Sequence, residues 1–278
     1  MNTEHLNNLY EEFDIANLPF GIVHDKLGDV YEKYCVEILE NPQFLTMSKT
    51  GNYYTNQEYK IFLELLAING IGTLSDIFNI KEIKASDPIP PRMSHGLSKT
   101  DVIMKVIYND GTHKRFPISC KQSTVPKVAF AEFDVDTICR EIGIPEGRLK
   151  YLMEKHQRDA SAINFTAAEK QELATLLRPI ARNFVRWVVT GSPVEAPDNI
   201  CIPTSIIKFD LRKPRDRYDI DVDNGDFSFQ NYKVYTIDQY IDTIMLNKKG
   251  NIKPGGFGTG LSWTYATGSK GKKIQFKG

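Results

Sequence analysis

Two charged residues in this chain stand at opposite ends of what reads as one hairpin. Asp101 precedes Val102-Ile103-Met104-Lys105-Val106-Ile107-Tyr108, and Lys121 closes His113-Lys114-Arg115-Phe116-Pro117-Ile118-Ser119-Cys120. Between the two β-branched runs lies Asn109-Asp110-Gly111, a strong hairpin-turn signal. Antiparallel pairing sets the two ends side by side, so Asp101 and Lys121 converge across the whole hairpin. An aspartate holds a hard divalent cation through oxygen. A lysine orients or deprotonates a water, or neutralises a phosphate. Together they point to metal-assisted hydrolysis of a phosphodiester. The same pair also suits a solvated strand edge, and the hairpin by itself does not separate the two readings.

The surrounding elements must hold that pair in place. Residues 2–13 form a short acidic helix. Leu27, Val30, Tyr31, Tyr34, Ile38 and Leu39 recur at helical spacing over 25–39, with Glu32 and Glu37 on the flanks and Pro42 as the stop. A third helix covers 58–68, a further turn 74–78, and the proline-rich stretch 87–93 is an extended lead into the hairpin. Beyond it, 122–127 is a loop and 128–130 a brief strand. Helices follow over 134–142 and 146–157. Thr166 with Glu169 makes a capping box for a helix reaching about Val189, interrupted at Pro179. Residues 192–199 read as a linker, 204–211, 217–222 and 232–235 as strands, and 236–245 as a helix. The order predicts an α/β fold in a single domain over 1–278.

Composition narrows the class without naming a partner. Among 278 residues, Lys+Arg and Asp+Glu balance at 35 each, so any polyanion affinity must come from local clustering. Four scattered cysteines, Cys35, Cys120, Cys139 and Cys201, show no metal-binding spacing and fit a reducing cytoplasm. No apolar run has membrane-spanning length and the first residues carry no apolar signal core, which predicts a soluble cytoplasmic protein with no membrane partner.

The clustering is at 248–278. Seven lysines occur there with no Asp or Glu, among eight glycines and the aromatics Phe257, Trp263, Tyr265 and Phe276. Positive charge without acids is the footprint of a polyanion-binding surface. The hydroxyls and Gln275 can bond base edges or phosphates, and glycines admit close approach of the backbone to a ligand. The aromatics argue against a disordered basic tail.

The stretch from Gly256-Phe257-Gly258-Thr259-Gly260 to Lys272-Lys273-Ile274-Gln275-Phe276-Lys277-Gly278 closely resembles the end of a type II restriction endonuclease of the PD-(D/E)xK superfamily. So do Asp25-Lys26-Leu27-Gly28, Tyr31-Glu32-Lys33-Tyr34, Ser98-Lys99-Thr100-Asp101, Ala131-Glu132-Phe133-Asp134, Lys155-His156-Gln157 and Arg186-Trp187-Val188-Val189-Thr190. The similarity spans almost the whole chain. It implies a restriction-endonuclease-like core, a mixed central sheet flanked by helices, with 248–278 as a basic Gly-rich DNA-reading segment within it. It further implies Mg²⁺ as cofactor and double-stranded DNA as partner. The expected target is CCGG, cut after the first C to leave a 5′ overhang. Asp101 then becomes a metal ligand, Lys121 the motif lysine, and Glu32 a second metal-binding carboxylate. Ser119 stands where most of the superfamily has Asp or Glu. It is expected to hold the metal or the attacking water indirectly, and a disabled, purely DNA-binding protein is the alternative. For DNA contact the resemblance implies Thr264, Thr267, Gln275 and Lys277 in the major groove, Lys270, Lys272 and Lys273 beside them, and Lys99, Ser123 and Lys127 near the hairpin. No obligatory protein partner is implied, and the protein is expected to be a monomer or a homodimer.

Overall fold

The computed structural model describes residues 4–51, 56–86, 98–216 and 218–278. The predicted lead 87–93 and Arg217 lie outside them. Helix α1 covers Glu4–Glu12, α2 Phe20–Glu40, α3 Pro42–Thr50, α4 Gln57–Ile68 and α5 Leu74–Phe78. Strands β1 Ile80–Ser86, β2 Val102–Tyr108, β3 His113–Ser123 and β4 Ala129–Phe133 follow. Helices α6 Val135–Ile142, α7 Arg148–Arg158, α8 Ala167–Leu177 and α9 Ala181–Thr190 lead to β5 Ser205–Leu211 and β6 Phe229–Thr236. Helix α10 Ile237–Met245 and strands β7 Ser262–Tyr265 and β8 Ile274–Lys277 complete the order.

The chain divides into two compact units. The first contains Met1–Pro91, Thr100–Pro126 and Asn199–Thr236, and the second Arg92–Lys99, Lys127–Asp198 and Ile237–Gly278. The predicted linker at 192–199 ends where the chain crosses between them.

The first unit is built on a mixed five-stranded sheet in the order β1-β2-β3-β5-β6. Only β3 and β5 run parallel, pairing Ile118 with Ser205 through Ser123 with Asp210. The predicted hairpin forms β2 and β3, with Val102 opposite Ile118 and Ile107 opposite His113. Helix α2 packs on this sheet through Val23, Leu27, Val30, Tyr31, Tyr34, Cys35 and Ile38, all buried. The ring of Tyr31 lies 4.7 Å from that of Phe209 on β5. The hydroxyls of Tyr10 and Tyr31 both donate to the Phe227 carbonyl, at 2.8 and 3.2 Å, so the polar tips of two buried rings are satisfied.

Three sequence expectations change here. Helix α2 begins at Phe20, directly after Pro19, one turn before 25–39. Pro42 does not merely end it: Asn41 caps a new helix by accepting from the Gln43 N–H at 3.0 Å, and Pro42 occupies the first turn of α3, where its missing N–H costs nothing. The strand expected over 217–222 is absent from its described residues. Asp226 instead accepts from the backbone N–H groups of Arg215 and Asp221, and Asp221 from that of Asn224, folding the segment into turns.

The second unit stands on a three-stranded sheet in the order β4-β8-β7. Thr166 and Glu169 form the predicted capping box, and Pro179 sits in a 3-10 turn between α8 and α9. Phe184 and Trp187 on α9 are fully buried, and the Trp263 and Phe276 rings of β7 and β8 pack on Phe184 at 5.5 and 5.3 Å. Arg182 and Arg186 reach Asp238, and Arg182 also Asp242, joining α9 to α10.

The glycines of 248–278 serve this packing. A Cβ on Gly260, whose φ is +75°, would lie 2.0 Å from the Ile244 carbonyl oxygen. One on Gly256 would lie 1.8 Å from that of Leu261. The close approach is of backbone to backbone, where the sequence suggested backbone to ligand. Among the described residues no helix is long and apolar enough to cross a membrane.

Candidate active site and nucleic-acid interface

Asp101 and Lys121 meet as the hairpin requires. Lys121 Nζ donates to Asp101 Oδ2 at 2.8 Å. Two further donors reach that same oxygen: Ser119 Oγ at 2.9 Å and the backbone N–H of Cys120 at 2.8 Å. Three consecutive residues of β3 thus grip one carboxylate oxygen. Oδ1 takes no hydrogen bond from any described residue, so one oxygen of a well-oriented carboxylate remains available. The two side chains are 17 % and 19 % exposed, enough to be met from solvent while most of each is screened.

Burial acts against the charge on Lys121, but the Asp101 carboxylate, with Cys120 and Glu32, outweighs it and raises the Lys121 pKa above its ordinary value. Lys121 is therefore an ammonium ion at neutral pH, a donor rather than a base in this arrangement. Glu32 is half-buried on α2, and its charge adds the last and smallest of the influences on both Lys121 and Cys120. Behind the centre the Cys120 and Cys35 thiols touch at 3.2 Å, linking β3 to α2 three residues from Glu32. That contact first, and burial second, push the Cys120 thiol well above its usual pKa. All four cysteines are free and buried.

This donor set suits a hard divalent cation. Two carboxylates, one with an open oxygen, are what Mg²⁺ takes from a protein when water and substrate phosphate supply the rest. Among the described residues no group of three or more His, Cys, Asp or Glu forms a complete cage of its own. Ser119 is fully buried and its hydroxyl donates to Asp101 Oδ2.

The predicted DNA contacts sort into four places. The β7–β8 pairing sets Ser262 opposite Lys277 and Thr264 opposite Gln275. Because side chains alternate along a strand, these four share one face, while Trp263, Ile274 and Phe276 are buried on the other. Lys127 Nζ joins the face through Ser262 Oγ at 2.5 Å. Thr267, Lys270, Lys272 and Lys273 are exposed in the turn joining the two strands. Lys99 donates to the Phe130 carbonyl of β4 at 2.7 Å. Ser123, at the end of β3 in the first unit, accepts from the Val125 N–H.

Sequence reading counted Ser262 among the hydroxyls of the basic segment and passed over one member of this face, Glu132. Glu132 pairs with Gln275 across β4 and β8 and accepts from its Nε2 at 2.9 Å. Thr264 Oγ1 donates to the Gln275 backbone carbonyl at 3.2 Å and, more weakly, to its side-chain Oε1 at 3.4 Å. Gln275 is thus held on two sides, a pre-positioned rather than a free side chain. Ser262 was legible as the alternate neighbour of Thr264. Glu132 was not, because nothing local marks a partner 143 residues away.

Comparison with known proteins carries the same pattern across the chain. The restriction enzyme named Type II restriction enzyme MspI, from Moraxella sp, is 38 % identical over 282 aligned residues, covering 100 % of both chains. The crystal structure of restriction endonuclease MspI in complex with its cognate DNA superposes with a TM-score of 0.83 at 35 % identity, again over 100 % of each chain. The expected fold, a mixed sheet flanked by helices, is that of this solved structure. Residues 11–278 match the family as a whole, and the chain belongs to the restriction endonuclease MspI family.

Proposed function

We propose that this protein is a type II restriction endonuclease that hydrolyses duplex DNA at CCGG, cutting after the first C, with Mg²⁺ as its cation. The observation that carries the reading is the Asp101 carboxylate, held through Oδ2 by Ser119, Cys120 and Lys121 with Oδ1 open, in a chain similar to MspI from end to end. Asp101 and Glu32 would hold the cation. When bound, it supplies charge neutralisation at the scissile phosphate and acidifies a water.

The chain's own residues do the positioning. The Cys120 N–H is fixed by the β3 backbone, so it sets the carboxylate plane of Asp101 at no side-chain entropy cost. Ser119 adds a second fixed donor, and so replaces the usual third carboxylate by a residue that orients the first. Lys121 brings a positive charge to the place where a pentavalent phosphate accumulates negative charge. Lys277 is the side chain that would reach guanine O6 and N7, while Gln275 and Thr264 read neighbouring edges.

Plasmid DNA incubated with purified protein and Mg²⁺ tests this, with the product ends sequenced. Discrete fragments with CCGG ends are expected, and Asp101→Ala and Lys121→Ala should abolish them while leaving a mobility shift intact. A shift without fragments from the wild-type protein would make it a DNA-binding protein instead. Wild-type cleavage by either variant would remove the assigned centre.

A further inference from the structure

Beside the β7–β8 face, within the second unit, lies a groove of about 720 Å³ that shares only Lys127 and Thr264 with the expected contacts. Its walls are α8, the loop around Ala162, and the segment from Pro254 to Thr264. Three features mark it. Its ionisable lining consists of Lys127, Lys170 and His156, with no Asp or Glu, in a protein whose charges otherwise balance. Ser262 and Thr264 of the β7 face lie on its rim, so groove and face are continuous. And His156, only 2 % exposed and packed edge-on against Phe257 and Trp263, lines it while its Nδ1 meets no hydrogen-bond partner among the described residues. A buried polar atom without a partner is uncommon and asks for a water or a ligand.

We infer that this groove is a second DNA contact, taking the sugar–phosphate backbone just outside the recognised base pairs, with Lys170 and Gln171 on α8 as its phosphate-binding side chains. The volume exceeds what one phosphate fills and falls in the range of sites that enclose a small ligand, which suits a run of backbone two nucleotides long. An extruded base fits less well, because Trp263 is 9 % exposed and its ring is already engaged by His156, Phe257 and Phe276. Lys170 is exposed and, unlike Lys155 and Lys150 nearby on α7, makes no ion pair among the described residues. Lys127 is already anchored to Ser262, so it links groove to reading face. Phosphate contacts of this kind fix register and add affinity without adding base preference.

The inference rests on the DNA-cleaving reading, and the test separates the two. Binding of fluorescent duplexes with and without CCGG is followed by anisotropy in EDTA over a range of NaCl. One lost phosphate contact lowers the slope of log K against log salt by about 0.9, which corresponds to about eightfold weaker binding at 0.1 M salt and about fourfold at 0.2 M. Lys170→Ala should show that loss on both duplexes alike, with cleavage preference unchanged, and Gln171→Ala, which removes no charge, a smaller loss of affinity with the salt slope unchanged. Methylphosphonate substitution of the phosphates flanking CCGG should weaken the wild type and leave Lys170→Ala unaffected. Unchanged affinity and slope in Lys170→Ala, with the wild type binding normally, overturns the inference alone. A loss confined to the CCGG duplex overturns it too, since that signals a base contact. Failure of the wild type to bind either duplex overturns the parent reading, and this one with it.

Discussion

Replacing Ser119 by alanine isolates the feature in which this centre departs most from its superfamily. The change removes one oxygen from a fully buried position and leaves β3 intact, so it deletes a donor without rebuilding the site. A hydrogen bond to a charged acceptor contributes about 1.5–3 kcal/mol. At about 1.36 kcal/mol per factor of ten in rate, complete loss of Asp101 orientation would slow cleavage by roughly 10- to 150-fold. Two of the three donors to Oδ2 survive, one of them the rigid Cys120 N–H, so the low end applies and about tenfold is expected. Single-turnover cleavage of a CCGG duplex at saturating protein measures this directly, with the anisotropy assay confirming that DNA affinity is unchanged. Ser119→Asp would place a second carboxylate against Asp101 in a buried position. It should lower thermal stability without divalent cation and enlarge the stabilisation that Mg²⁺ then provides, since the cation offsets the like-charge repulsion. A wild-type rate in Ser119→Ala would refute the argument that this hydroxyl orients the carboxylate for the reaction.

The other expectations are quicker to state. Lys277→Met should cost about 1–3 kcal/mol of discrimination between CCGG and single-base variants, read as the ratio of cleavage rates; an unchanged ratio removes Lys277 from base reading. Gly260→Ala would bring a Cβ to 2.0 Å from the Ile244 carbonyl oxygen at a positive φ, so a loss of about 3 kcal/mol or more is expected in urea unfolding. Both tryptophans, Trp187 and Trp263, lie in the second unit, so their fluorescence reports that unit specifically. Burial, only partly offset by Asp159, depresses the His156 pKa to about 4. The unfolded chain takes up this proton near pH 6.5 and the folded one does not, so the contribution is complete above pH 6.5 and lost as pH falls towards 4. It amounts to about 3 kcal/mol. Tryptophan-detected melting across that window should show the decline in the wild type and a flatter profile in His156→Phe, and equal profiles would remove His156 from the account.

What the sequence disclosed depended on how local the cause was. The hairpin was legible because β-branched runs and an Asn-Asp-Gly turn act over a few residues, and its ends carried Asp101 and Lys121 with them. The capping box at Thr166 was legible for the same reason. Helix α3 was hidden because a proline that stops one helix can also open the next, and only the Asn41 side chain decides which. Strand β1 was hidden because Ile80-Lys81-Glu82-Ile83-Lys84 lacks a clean alternation, and it is held by pairing with β2 rather than by its own pattern. Residues 218–222 alternate apolar and acidic as a strand would, yet the carboxylates of Asp221 and Asp226 bind backbone and turn the chain. The grip on Asp101 Oδ2 was half legible: Lys121 came from the motif, whereas the Cys120 N–H carries no side-chain signature and appears only once the β2–β3 register is known.

The interleaving of the two units has a bearing on how the molecule is made. Neither unit is one continuous length of chain. The first sheet waits for residues 118–123 to find 205–210, and the second for 129–133 to find 274–277. Loops of this length close slowly relative to local helices. While the loops remain open, β3 and β4 expose unpaired edges of the kind that associate between chains. Slow synthesis at low temperature and low chain concentration should therefore favour recovery of soluble protein. A fragment of residues 127–278 would carry all three strands of the second sheet but take β5 and β6 away from the first, so a single cut that spares the proposed reading face dismantles the sheet beneath the proposed cutting centre.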